Sequence, residues 1–161
     1  MHYINFNKFT LHYHHKHYNA LPRQSLLLYK EMVATRSISN KELQVLIIDN
    51  ASIVASRMFD IIGELPFVKG ITWAHNFAEA LESLNDTTLD VVLMDIQLPD
   101  MNGLDVLKAI KKKNPALKVI VLTNKFEENY KILCEKLGSD HFFDKSAEFD
   151  KVSEILKSYA A

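Results

Sequence analysis

From Gln44 onward, short continuous apolar runs alternate with stretches in which apolar residues recur every three or four positions. The run "QVLII" (44–48) predicts a strand that ends at Asp49. "SIVASRMFDIIGEL" (52–65) places Val54, Met58, Ile61, Ile62 and Leu65 at helical spacing, with Ser52 as the expected N-cap. "FVKGITWA" (67–74) is a weaker strand, and "NFAEALESL" (76–84) puts Phe77, Ala80, Leu81 and Leu84 on one helical face. "DVVLM" (90–94) predicts a strand, and "GLDVLKAIKKK" (103–113) a helix with a lysine-rich last turn that suits the helix dipole. "LKVIVLT" (117–123) is a strand, and "EENYKILCEKLG" (127–138) a helix closed by Gly138. "HFFD" (141–144) is a short strand, and "FDKVSEILKSY" (149–159) a last helix with Val152, Ile155 and Leu156 on one side.

Five strands thus alternate with five helices. The first, third and fourth strands are almost wholly apolar, as expected when both faces of a parallel sheet are covered. The expected fold is α/β, an open, doubly wound five-stranded parallel sheet of the (βα)5 type. In such sheets ligands sit beyond the carboxyl ends of the strands.

Residues 1–43 keep no sustained period. They are expected to form a mobile, His-rich extension ahead of a domain at 44–160, with a short helix within 21–34 and a polar linker at 35–42. Charge separates the two parts. Residues 1–43 hold six Lys/Arg and two Asp/Glu, net +4, whereas residues 44–161 hold thirteen and eighteen, net −5. The total of −1 gives no electrostatic ground for a nucleic-acid or membrane partner. No stretch of 18 or more apolar residues exists, and the aromatic, His-rich start lacks the apolar core of a secretory signal. The single cysteine, Cys134, excludes an internal disulfide and suits a reducing cytoplasm. Of the histidines, the cluster His12, His14, His15 and His17 has no neighbouring acid or cysteine and reads as non-functional sequence rather than a metal site, while His75 and His141 read as packing or capping residues.

The chemistry lies at the strand ends. The first strand ends at Asp49 and Asn50, the third at Asp95 and the fourth at Thr123, and Lys145 follows the fifth. If the sheet forms, these side chains converge on one edge. Carboxylates beside a hydroxyl and an ammonium suit a hard cation such as Mg²⁺ together with a small anion. Metal-assisted phosphoryl transfer to Asp95 fits that set.

Residues 44–160 resemble the receiver domain of bacterial response regulators, the CheY-like family. "LIIDN" is similar to its acidic strand end, "VVLMDIQLPDMNG" to its phosphorylation loop, "VIVLT" to its switch-hydroxyl strand and "HFFDKS" to its lysine segment. The resemblance implies that Asp95 accepts a phosphoryl group from a sensor histidine kinase or a histidine phosphotransfer protein. It implies Mg²⁺ held by Asp49, Asn50, Asp95 and the backbone carbonyl of Gln97. It gives Lys145 to the phosphoryl oxygens, Thr123 to the switch hydroxyl, and Phe142 to the aromatic position that turns inward. An unknown downstream protein would then read the face of helix 4, strand 5 and helix 5, and a phosphorylation-dependent homodimer is open to the same face. Gln97, Asn124 and Lys125 stand where the family tunes access and phosphoryl lifetime, and Ile53 where it contacts the kinase.

Three departures matter. The family usually has a second acid where this chain has Asn50, so Mg²⁺ binding is expected to be weakened rather than lost. Asn124 replaces a usually small residue. Phe142 lacks a hydroxyl or ring donor, so its switch can only be steric. No output module follows residue 161 in this sequence, which suggests a stand-alone receiver in a two-component phosphorelay. The runner-up is a phosphorylation-independent interaction module of the same fold. An α/β enzyme lacks its usual Gly-x-Gly-x-x-Gly, Gly-x-x-x-x-Gly-Lys and Gly-x-Ser-x-Gly signatures.

Overall fold

The computed structural model describes residues 41–85, 88–124 and 127–161. The short helix at 21–34, the His cluster, residues 35–40 of the linker and the tuning position Lys125 lie outside the described residues.

The strands are β1 (Leu43–Ile48), β2 (Val68–Ala74), β3 (Val91–Met94), β4 (Lys118–Thr123) and β5 (His141–Asp144). The helices are α1 (Ser52–Gly63), α2 (Phe77–Ser83), α3 (Gly103–Lys113), α4 (Glu128–Lys136) and α5 (Lys151–Tyr159). All strand pairs are parallel, in the order β2-β1-β3-β4-β5. This is the doubly wound sheet expected from the sequence.

The strand pleat explains the continuous apolar runs. Leu46, Ile48, Val92, Met94, Val119 and Val121 face the cluster built with α2, α3 and α4. Their neighbours Val45, Ile47, Val91, Leu93, Ile120 and Leu122 face Met58 and Ile62 of α1 and Val152 and Leu156 of α5. Successive side chains of one strand thus enter two separate cores, so no polar alternation can survive in β1, β3 or β4. Strand β2 reads weakly because it is an edge strand, with only Ala74 fully buried.

The local boundaries correct several expectations. Ser52 is the first residue of α1, not its cap. The cap position is Ala51, whose carbonyl accepts from the Val54 and Ala55 N–H groups and whose methyl side chain can make no capping hydrogen bond. Leu81 does not share the buried face of α2 but is 44% exposed. The buried stripe of that seven-residue helix is narrow, formed by Phe77 and Ala80 with Leu84 just beyond its end. Gly138 lies one residue past the α4 C-cap with φ of 97°, the left-handed conformation expected of a C-terminal glycine. The sheet unit also begins before residue 44: Leu43 opens β1, and the Lys41 N–H donates to the Ala160 carbonyl at 2.9 Å.

Candidate functional site

The register brings the strand-end residues together. Ile48 pairs with Met94, so Asp49 and Asp95, one residue beyond, leave adjacent strands at the same level. Thr123 pairs with Asp144, which delivers Lys145 to the same edge. The backbone continues the ladder past the strands: Asp95 N–H donates to the Ile48 carbonyl at 2.9 Å, and Lys145 N–H to the Thr123 carbonyl at 3.1 Å.

At the centre the Lys145 ammonium donates to Asp49 Oδ2 at 2.5 Å and to Asp95 Oδ2 at 2.6 Å. All three residues are buried, Asp49 at 3% and Asp95 and Lys145 at 6% exposure. The second oxygen of each carboxylate holds its own loop. Asp49 Oδ1 accepts from Ala51 N–H, and Asp95 Oδ1 from Gln97 N–H at 3.0 Å. Lys145 enters from a turn fixed by Asp144, whose Oδ1 accepts from the Ser146 N–H at 2.7 Å and hydroxyl at 2.5 Å. The Ser146 hydroxyl, helped by the Ser146 amide, holds the Asp144 carboxyl below the usual range.

Two buried carboxylates share one ammonium. One unit of negative charge is therefore uncompensated, in a place where each ion has lost several kcal/mol of hydration, to order of magnitude. Such a site favours a further cation, and its hard oxygens suit Mg²⁺. Asn50, exposed beside Asp49, adds an amide oxygen but no charge. Among the described residues no group of three or more His, Cys, Asp and Glu is arranged to hold a metal. The buried carboxylate oxygens of Asp49 and Asp95 are of the hard kind that fits Mg²⁺.

The remaining sequence-derived residues fall as follows. Thr123 is fully buried at the end of β4. Phe142 is already inside, 7% exposed and packed in the α2–α3–α4 cluster, so the expected inward turn starts from an inward ring. Gln97 and Asn124 are exposed at the rim, and Ile53 on α1 is 81% exposed.

Two residues escaped the sequence reading. Trp73 donates its indole N–H to the Asp49 carbonyl at 2.8 Å, and its ring lies tilted at 35° against His75, with ring centroids 3.9 Å apart. Asp100 of the phosphorylation-like loop accepts from the amides of Phe77 at 3.1 Å and Ala78 at 3.2 Å, at the start of α2. The Phe77 amide foremost, with Ala78, holds the Asp100 carboxyl below the usual range.

A buried pair of carboxylates bridged by a lysine at the carboxyl edge of a 2-1-3-4-5 parallel sheet defines a CheY-like, flavodoxin-like receiver architecture. The chain belongs to the response regulator receiver family, whose domain model matches residues 45–157. Chemotaxis protein CheY of Thermotoga maritima is 35% identical over 114 residues, covering 70% of this chain and 93% of that protein. The protein-glutamate methylesterase/protein-glutamine glutaminase of Treponema denticola is 31% identical over 123 residues, covering 72% of this chain and 33% of that protein. The chain thus spans about a third of the length of the methylesterase relatives that it matches. Among solved structures, the response regulator domain of Thermotoga maritima CheB superposes with a TM-score of 0.64 at 31% identity, covering 74% of this chain and 94% of that one. Members of the family are the receiver domains of two-component signalling, in which a phosphoacceptor role and Mg²⁺ binding at the phosphorylation site are general.

Proposed function

We propose that Asp95 is the phosphoacceptor of this receiver, and that its donor is a phosphohistidine on a sensor kinase or phosphotransfer protein. The observation that carries the reading is the Lys145 ammonium held between the buried carboxylates of Asp49 and Asp95. An Asp95 oxygen would attack the phosphorus as the bond to the histidine nitrogen breaks, and that nitrogen leaves with the electron pair. Lys145, already within 2.6 Å of Asp95, would follow the transferred oxygens and offset their charge. The Thr123 hydroxyl would donate to one of them. Bound Mg²⁺ would neutralise charge on the incoming group, and Asp49, Asn50, Asp95 and the Gln97 carbonyl would hold it. The charge deficit at Asn50 makes that binding weak.

With Phe142 already inside, a phosphoryl group would stabilise an arrangement that the chain adopts rather than create it. The downstream face is α4–β5–α5, where Ile132 and Leu133 of α4 are 40% and 44% exposed. That face would bind a downstream protein or a second copy of the chain. Ile53, exposed beside the pocket, would meet the phosphodonor protein, and Gln97, Asn124 and Lys125 would tune access and phosphoryl lifetime. The protein would signal by contact rather than turn over a substrate, in the cytoplasm, through the sheet unit whose first strand opens at Leu43, with the residues ahead of it as an N-terminal extension. No described helix is long and apolar enough to cross a membrane. The direct test is phosphate incorporation from acetyl phosphate with and without Mg²⁺. Label that depends on Mg²⁺ and disappears in Asp95→Asn supports the reading; equal labelling of the variant refutes it.

A further inference from the structure

The segment from Ile96 to Gly103 is closed upon itself. Gln97 and Asn102 form an antiparallel bridge, the Gly103 N–H donates to the Ile96 carbonyl at 3.1 Å, and Asn102 Oδ1 accepts from the Leu104 N–H at 2.9 Å. A Cβ on Gly103 would collide with the Ile96 backbone, lying 2.6 Å from its carbonyl oxygen. A loop this tight moves as a unit. One end is tied to Asp95 through the hydrogen bond from Gln97 N–H to Oδ1. From its tip, Asp100 reaches out of the loop to the first two amides of α2. The next amides of α2 are satisfied locally, Glu79 N–H by Asn76 Oδ1 and Ala80 N–H by the Asn76 carbonyl, so the Asp100 carboxylate supplies the hydrogen bonds that join this end of the helix to the loop.

We infer that Asp100 is a positioning residue that couples the Asp95 loop to α2, so that the phosphorylation state of Asp95 is displayed at α2 as well as at the α4–β5–α5 face. The inference rests on the phosphoacceptor reading. A phosphoryl group on Asp95 changes what Asp95 can accept from Gln97, the rigid loop shifts, and its two-pronged carboxylate carries the shift to Phe77 and Ala78. The exposed Leu81 on the same short helix moves with them.

Residue-resolved amide exchange of the full chain tests this, with beryllofluoride and Mg²⁺ as the phosphoryl mimic. In the wild type, exchange at Phe77 and Ala78 should change by about threefold or more when the mimic is added, together with Thr123 and Lys145. In Asp100→Ala these two amides should exchange about tenfold faster and no longer respond, while Thr123 and Lys145 still do. Asp100→Asn, which keeps one acceptor oxygen, should fall between. A response at Thr123 and Lys145 with none at Phe77 and Ala78 in the wild type overturns the coupling and reduces Asp100 to a structural cap. So does an α2 response that persists in Asp100→Ala. No response anywhere overturns the phosphoacceptor reading, and the coupling with it.

Discussion

Lys145 Nζ lies 2.6 Å from Asp95 Oδ2, a contact between residues fifty positions apart that the sheet register alone brings together. Neither group would tolerate its burial without the other. The consequences of one ammonium serving two carboxylates can be measured.

Asp49→Asn removes the surplus negative charge and leaves a one-to-one pair of Lys145 and Asp95. In EDTA its stability should equal or exceed that of the wild type, by up to about 1 kcal/mol, because like-charge repulsion is relieved at a functional site. Mg²⁺ should stabilise the wild type by mass action and the variant far less. Urea unfolding with and without Mg²⁺ measures both; a loss of more than about 2 kcal/mol in EDTA would make Asp49 a structural brace.

Asn50→Asp supplies the acid that the family usually has. An added unit charge beside a divalent ion is worth about 1–4 kcal/mol, depending on the effective dielectric, so Mg²⁺ affinity should rise by about fivefold or more. Calorimetric titration decides it, and unchanged affinity would remove Asn50 from the metal site.

Gly103→Ala should cost about 1–3 kcal/mol by overpacking, since the new methyl meets backbone that cannot swing away. The urea midpoint should fall with an unchanged slope. The Asp95–Gln97 hydrogen bond lies at the far side of the same closed loop, so phosphate incorporation should slow as well.

Stability should also depend on Asp140, away from the site. Burial alone would raise its carboxyl, but hydrogen bonds from Lys111 and Lys118, each under 3 Å, and from the Val119 amide outweigh burial and hold it below the usual range. A depressed folded value means the contribution is fully present above the unfolded carboxylate range, near pH ~4, and is lost as pH falls through the folded value. Asp140→Asn should therefore cost about 1–3 kcal/mol near neutral pH and progressively less in acid. An equal cost at pH values well above and well below that range would contradict it.

The parts that were legible in the sequence follow from periodicity. The double-faced burial of β1, β3 and β4 is written in runs such as "VVLM", and once strand order is granted, Asp49, Asp95, Thr123 and Lys145 must meet at one edge. What was not legible depends on rotation and on distant partners. Leu81 sits at the margin of a narrow stripe, and a small rotation of α2 decides its exposure. Ser52 has the right chemistry for a cap, but the helix starts one residue earlier, its first hydrogen bonds running to the Ala51 carbonyl. The bond from Trp73 to Asp49, and that from Asp100 to α2, join segments more than twenty residues apart with no periodic signal between them. The inward placement of Phe142 is a side-chain orientation, which sequence pattern does not encode.

The central claim is that Asp95, and no other carboxylate, carries the phosphoryl group. Borohydride reduction after incubation with acetyl phosphate and Mg²⁺ converts an aspartyl phosphate to homoserine, and peptide mass spectrometry then locates it. The account predicts homoserine at position 95, absent without Mg²⁺ and absent in Asp95→Asn. Homoserine at any other aspartate, or a modification that persists in Asp95→Asn, would contradict it.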